Sequence, residues 1–429
     1  MDRALRDRLY AYFQRYPCIG TDTRKDLTGC IFWALKGERY DANRFVEKAF
    51  EAGAEAVVTN HPAWKSHERV FYVEGDTLEA LHDFARFHRR RMPAKVIAVT
   101  GSNGKTTTKE LMASVLRQKY RVVATEGNLN NHFGVPLMLL RIRPDTEVAV
   151  IEMGTNHPGE IAMLAAIAEP DYGYITSFGE AHLEFFGDLD GVIREKTALY
   201  RYLKQNDGTA FVHYDDPVQE GHTRGMNRYG FSFGPYPRAE LHFRPLDRND
   251  KASLVWDGLE IRSNLTGRFH LPNIGAAVTV GHYFGVAPAM IRQGIEAYVP
   301  RNNRSQLIKR GNLTILLDAY NANPTSMRAA IENLARYEGP KWAVLGDMLE
   351  LGPKAAAKHQ EIVDLLARKK IPAYLIGEHF GRTKPHAHIL GRFAATDDFI
   401  RSGLFDGLNQ GTVLIKGSRG LRLERILEK

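Results

Sequence analysis

Residues 99–110 read VTGSNGKTTTKE. The run KVIAVT (95–100) is apolar without alternation, as a buried parallel strand requires. The run KTTTKELMASVLRQ (105–118) puts Leu111, Met112, Val115 and Leu116 on one helical face. GSNG is then the turn between strand and helix. Gly101 and Gly104 let the backbone turn tightly, with amides aimed inward at a phosphate. Lys105 supplies charge to the outer phosphates, and the Thr106 hydroxyl suits magnesium. The standard phosphate loop wants a glycine five positions before Gly104, and Val99 stands there. The shorter G-x-x-G-K-T form, between a strand and a helix, still points to nucleotide binding rather than a chance turn.

Outward from this turn, YRVVAT, TEVAVIEM, YGYITS and GTAFVH repeat the buried-strand pattern, mostly with helical stretches between. That is the rhythm of a doubly wound sheet. ELHFRPL and ASLVWDGLEIRSN (240–264) alternate weakly and predict a small antiparallel addition. Beyond 300 the strand–helix rhythm restarts with LTILLDAY, KWAVLGD, PAYLIG, HAHILG and TVLIKGS. Upstream, GCIFWAL and AEAVVT read as strands and NRFVEKAFEAG as a helix closed by Gly53. The expected class is α/β with three domains. These are a small α/β domain over 1–92, a central phosphate-loop domain with a mostly parallel sheet over 93–300, and a Rossmann-like α/β domain over 301–429.

The 429 residues suit about three domains. The N-terminus, MDRALRDRLYAYF, is charged and helical, unlike a signal peptide, and no apolar run is long enough to span a membrane. A cytoplasmic protein is expected. Cys18 and Cys30 are the two cysteines, too few for a disulfide framework, and read as two buried thiols. The formal charge of +8 fits an anionic small substrate, a nucleic acid or an anionic surface. RFHRRR (86–91) is the densest basic run. With only Phe87 as an interleaved aromatic, it reads as a solvated helix end before Pro93 rather than a polyanion patch.

Three further stretches carry candidate chemistry. Glu152 ends the strand TEVAVIEM, where a carboxylate reaches the carboxyl edge of a parallel sheet; the bland alternative is a surface acid. In GEAHLEFFGDLDGVIREKTALYRYL, Leu189, Val192, Ile193, Leu199, Tyr200 and Leu203 form one apolar stripe that includes Lys196. A lysine there either snorkels or has a partner. His182, just upstream, by itself reads as a satisfied polar residue or a ligand. In LLDAYNANPTSM, Asp318 ends a strand, and Asn321, Asn323 and Pro324 turn into a helix starting near Thr325. A strand-end acid of this kind meets a ribose or a metal.

Taken together, TDTRKDLTGCIFWALKGERYDANRF, TGSNGKTTTKE, GNLNNHFGVPL, EMGTNHPGEI, AHLEFFGDLDGVIREK, NRSQLI, LDAYNANPTSM, LGDMLELG and LIKGSRG resemble the Mur ligase family over nearly the whole chain. The resemblance implies an ATP-dependent amide-forming ligase of peptidoglycan precursor synthesis. It would join D-alanyl-D-alanine to UDP-N-acetylmuramoyl-tripeptide through an acyl phosphate. DAYNANP and EMGTNHPGEI set it apart from the sibling that adds the third amino acid. The first domain would hold the UDP end, with Thr23 and Arg24; the middle domain would hold ATP and metals; the last would hold the incoming amine.

Residue by residue, the resemblance implies ATP contacts at Gly101, Ser102, Asn103, Gly104, Lys105, Thr106 and Thr107. It adds Asn273 on adenine, Arg304 on the phosphates and Asp318 on ribose. Asn128 would lie near the γ-phosphate and the reacting carboxylate, and Asn321 and Ser418 near the amine substrate. Thr106, Glu152 and His182 would ligate magnesium, with two ions expected. Lys196 matches a lysine that relatives carbamylate. Two departures stand out. His270 occupies a position where the family often has Asn, and Ala42-Asn43 replace a usual Gly-His. No nucleic-acid partner is expected, and a monomer is. The rivals are a sibling ligase, a folate-polyglutamylating enzyme, a phosphate-loop kinase and a silent nucleotide-binding regulator. The TDTRKD region argues against the folate enzyme. A kinase would not need the third domain, and a silent regulator would not need the combined set from Lys105 to Lys196.

Overall fold

The computed structural model describes residues 1–37, 40–246, 251–301 and 303–428. Two compact units divide the chain: residues 1–98, 120–154 and 162–171 in one, and residues 99–119, 155–161 and 172–429 in the other.

In the first unit, Ile19–Gly20, Ile31–Trp33, Ala56–Thr59 and Val70–Tyr72 form a parallel sheet in chain order. Ile31, Phe32 and Trp33 are all buried because helices cover both faces. Phe32 packs in a core with Val46 and Ala49 of the helix Val46–Glu51. Trp33 meets Phe84 of the helix Thr77–Arg89 at 5.4 Å between centroids and donates its indole N–H to Thr77 O at 2.8 Å. Val122–Ala124 and Val148–Glu152 also pair in parallel in this unit.

Two expectations change here, and one departure finds a role. Cys18 and Cys30 are not two buried thiols but a disulfide, with Cα atoms 4.4 Å apart. The reason is register: pairing Ile19 with Ile31 sets the residues just before them side by side. Asn43, one of the two departures, is structural: its Oδ1 accepts from Thr59 Oγ1 at 2.7 Å and Asn60 N at 3.1 Å. The basic run is also no simple solvated end. Arg89 is buried and donates to Ala168 O (3.2 Å), Glu169 O (3.1 Å) and Asp171 Oδ2 (2.8 Å). His88 bridges Tyr10 Oη (3.2 Å) and Ile142 O (2.8 Å). Arg90 grips Glu169, and the Arg91 guanidinium lies 3.3 Å above the Phe87 ring.

In the second unit, Thr209–His213 lies between Tyr172–Ile175 and Asn227–Ser232, all parallel, with Leu241–His242 beside the last. The predicted antiparallel addition is present as Arg244–Pro245, Lys251–Trp256 and Leu259–Thr266; residues 247–250 of that stretch lie outside the described residues. A six-stranded sheet follows, in the order Gln306–Arg310, Asn312–Asp318, Gln410–Lys416, Lys341–Gly346, Ala373–Ile376, Ile389–Phe393. Only its first pairing is antiparallel. Leu316, Leu414 and Leu345 face one core; Ile315, Val413 and Val344 face another. Apolar cover on both faces is why these strands read as unbroken apolar runs. Among the described residues, no helix is long and apolar enough to cross a membrane.

Candidate functional site

The phosphate loop is held from below by the segment after Tyr172–Ile175. Ser102 N donates to Ser177 O (2.9 Å), Ser102 Oγ to Gly179 O (3.0 Å), Gly179 N to Ser102 Oγ (2.9 Å), and Asn103 N to Ser177 Oγ (3.1 Å). Gly101 has φ 144°, and a Cβ there would stand 2.0 Å from Thr176 Oγ1, so only glycine fits. Gly104, with φ 84°, begins the helix Lys105–Leu116 and brings no side-chain cap. Such an uncapped helix start is a site for an anion. Lys105 is the first residue of that helix; its Nζ donates to Gly101 O at 2.7 Å. Thr106 is half-buried and Thr107 buried beside it.

Lys196 ends the helix Leu189–Lys196 and is 1% exposed. The apolar stripe is real but broken: the chain kinks at Thr197 before the helix Ala198–Gln205, and Leu189 is exposed. The neighbouring carboxylate of Glu195 is taken up elsewhere, by Gly159 N (2.7 Å) and Ile161 N (2.8 Å). Among the described residues no ion pair holds Lys196. Burial pushes its ammonium well below the usual lysine range, and the charge of Lys105 pushes it further the same way. The snorkelling reading fails, since the side chain does not reach solvent.

His182 sits in the left-handed region (φ 53°) at the start of the short helix Leu183–Phe186. Its Nδ1 lies 2.6 Å from Glu350 Oε2. The hydrogen bond from His182 lowers the Glu350 carboxyl, against the effect of burial. Glu350 also has a positive φ, 62°, and Glu184 N donates to its carbonyl at 3.1 Å. Ser418 pins this loop: its Oγ accepts from Leu349 N at 2.9 Å, and its N donates to Asp347 O at 3.1 Å. Ser418 is therefore buried and engaged with protein, while Asn321 is exposed.

A second cluster gathers around the strand end at Asp318. Lys416 Nζ lies 2.5 Å from Asp318 Oδ2 and donates to Asn321 O at 3.1 Å; Ser305 N donates to Asp318 Oδ1 at 3.0 Å. Burial, the largest single influence, works to raise the Asp318 carboxyl, but Lys416, the Ser305 N–H and His270 together bring the net shift down. Arg304 stacks 3.5 Å over the Tyr320 ring. Asn323 caps the helix Pro324–Ala335 and exchanges side-chain amide hydrogen bonds with Asn103 of the phosphate loop, at 2.8 and 3.4 Å. Asn273 lies close to Gly104: a Cβ there would stand 2.7 Å from Asn273 Oδ1.

In the first unit, Glu152 is 1% exposed at its strand end. Its Oε1 accepts from Asn130 Nδ2 at 2.8 Å, and its N donates to Thr125 Oγ1 at 2.8 Å. Its Oε2 is buried with no hydrogen-bond partner. A carboxylate oxygen kept dry and unpaired calls for a cation. Asn128 is exposed on the same loop, and it is Asn130 that reaches Glu152. Thr23 is half-buried and Arg24 exposed, the latter gripping Asp22 through two 2.8 Å contacts. Sequence reasoning missed Asn130, Glu350 and Lys416. Lys416 had a signal, a lysine at the end of an apolar strand, as Lys196 had one in its apolar helical stripe.

Comparison with known proteins matches residues 99–281 to the Mur ligase middle domain and residues 303–419 to the Mur ligase glutamate ligase domain. The chain is 35% identical over 431 residues to the UDP-N-acetylmuramoyl-tripeptide–D-alanyl-D-alanine ligase of Bacillus subtilis, covering 96% of this chain and 92% of that one. It is 32% identical to the ligase of the same name from Escherichia coli, covering 95% and 92%. Among solved structures, MurF of Acinetobacter baumannii superposes with TM-score 0.83 at 30% identity, covering 96% and 92%. MurF ligase of Thermotoga maritima in complex with ADP gives 0.85 at 27% identity, covering 100% and 98%. With two family domains matched over more than half of its length and relatives above 30% identity along nearly all of it, the chain belongs to the Mur ligase family.

Proposed function

We propose that this protein is an ATP-dependent ligase that joins D-alanyl-D-alanine to UDP-N-acetylmuramoyl-tripeptide in cytoplasmic peptidoglycan precursor synthesis. The observation that carries the reading is Lys196: fully buried, without an ion pair, and beside the phosphate-loop lysine. The names of the relatives supply the substrates. The division of labour follows the three expected domains, 1–92 for the UDP end, 93–300 for ATP and 301–429 for the amine.

A carboxylate does not acylate an amine at neutral pH without activation. The peptide carboxylate attacks the γ-phosphorus of ATP, the bond to the β,γ-bridging oxygen breaks, and ADP leaves. The amine then attacks the acyl carbon, loses a proton and expels phosphate. Two anions meet in the first step, so the protein's task is mainly positioning and charge neutralisation. Lys105 and the start of its helix hold the phosphates. Asn273, Arg304 and Asp318 hold the base, phosphates and ribose. Asn128 would meet the reacting carboxylate, Thr23 and Arg24 the UDP end, and Asn321 and Ser418 the amine.

By the family resemblance Glu152, Thr106 and His182 would hold magnesium; of these, Glu152 offers a buried carboxylate oxygen without a hydrogen-bond partner, a hard donor that suits the ion. Bound magnesium would supply charge neutralisation at the phosphates. A further anion near Lys105 would help to hold the ion. Lys196 can provide it. Burial favours the free amine over the ammonium, and a free amine attacks carbon dioxide, forms an N–C bond and releases a proton. The carbamate is an anion that the Lys105 charge favours.

The test is phosphate release with either the lysine or the diaminopimelate form of the UDP-tripeptide, with and without D-alanyl-D-alanine. Release should require nucleotide-peptide and dipeptide together, with amide, ADP and phosphate in equal amounts. Equal ATP hydrolysis without either substrate would sink the ligase reading; a phosphorylated end product would favour a kinase.

A further inference from the structure

His270 has no part in the chemistry above, yet it is 4% exposed within a continuous polar relay. Asn273 Nδ2 lies 3.0 Å from His270 Nδ1. An amide nitrogen only donates, so Nδ1 accepts and the ring proton sits on Nε2. Nε2 then donates to Ser305 Oγ at 3.0 Å. Ser305 N donates to Asp318 Oδ1, whose other oxygen pairs with Lys416. Burial lowers the imidazole to about 4, so the ring is neutral near pH 7 and this hydrogen-bond sense stands.

The relay has a consequence at its other end. The Asn273 amide is itself 5% exposed, and its NH2 is engaged by the ring. Its carbonyl oxygen is the atom nearest the place where a Gly104 Cβ would stand, on the phosphate-loop side. We propose that His270 is a positioning residue for nucleotide-base selection: it locks the Asn273 amide so that an acceptor, not a donor, faces the nucleotide. This rests on the reading of Asn273 as a base contact. Adenine carries an exocyclic amine, which a carbonyl acceptor complements. Hypoxanthine carries an oxo group at that position, so a locked amide sets acceptor against acceptor. A buried polar mismatch of this kind costs more than a lost contact. The one ring supplies both an acceptor for Asn273 and a donor for Ser305.

The experiment compares ATP with ITP in turnover, and ADP with IDP in calorimetric binding. It uses the wild type, His270→Leu, His270→Gln and Ser305→Gly. Leucine offers neither hydrogen bond; glutamine offers both senses; glycine suits the left-handed backbone at Ser305 (φ 47°) and removes only the ring's acceptor. His270→Leu should raise KM for ATP about tenfold with kcat within about threefold, and cut the ATP-over-ITP preference by a similar factor. His270→Gln should keep the preference, and Ser305→Gly should lose part of it. An unchanged ATP-to-ITP ratio in His270→Leu overturns the proposal. So does an equal loss in the leucine and glutamine variants, which would mark a packing role. If His270→Leu does not fold, an unchanged ratio in Ser305→Gly overturns it. A wild type that binds neither ADP nor IDP fails the nucleotide reading instead.

Discussion

The run Arg86–Arg91 and the pair Lys105 with Lys196 place positive charge in opposite ways. The first is dense in sequence and spent on structure. Arg89 ties the end of its helix to residues 168–171, Arg90 takes Glu169, and Arg91 lies on an aromatic face. The second is two lysines 91 positions apart in sequence, one of them buried without an ion pair. The charge of Lys105 disfavours the Lys196 ammonium, and the Glu195 carboxylate, which also accepts from backbone N–H groups, offsets this only in part. Burial, rather than charge density, marks the lysine whose state is open to chemistry.

The comparison can be broken from either side. Lys105→Ala should lower phosphate release by about 10³-fold with little change in thermal midpoint, since the side chain is half-buried and donates to carbonyls of its own loop. A variant within a few fold of wild type would remove the phosphate loop from the reaction. Arg89→Ala should do the reverse. Unfolding in denaturant should show a loss of about 3 kcal/mol, because Asp171 and two carbonyls lose a buried cation, while KM for ATP stays put. Unaltered stability would return the run to a solvated helix end. Lys196→Ala should slow turnover about 30-fold, or about 2 kcal/mol, with partial recovery in millimolar acetate. Stripping dissolved carbon dioxide should slow the wild type and leave Lys196→Ala unaffected. A near-normal Lys196→Ala rate without rescue would make the buried lysine structural.

Local pattern made much of this molecule legible. Strands covered on both faces read as unbroken apolar runs, as at 95–100, 148–152 and 312–318, and glycines with positive φ marked the phosphate loop. The helix after DAYNANP starts at Pro324, one residue before the expected position, because Asn323 caps it. What stayed hidden depends on register and on loops crossing. Cys18 meets Cys30 only because Ile19 pairs with Ile31. Asn130, not Asn128, turns toward Glu152 because the loop between them bends: Asn130 N donates to Asn128 O at 2.8 Å. Glu350 reaches His182 from a loop whose own hydrogen bonds involve Ser418 and His359. None of these has a short-range signature.

The amide exchange between Asn103 and Asn323 joins residues 220 positions apart. A ribosome adds about 5–20 residues per second, so residue 323 emerges about 10–45 s after the phosphate loop. The braces at Ser177 and Gly179, 74 and 77 positions from their partners, arrive sooner, about 4–15 s after the loop. During synthesis the loop is therefore shaped first by its own half of the chain, and its outermost amide waits in water. The nascent protein has a phosphate cradle well before it has the turn that will close against it.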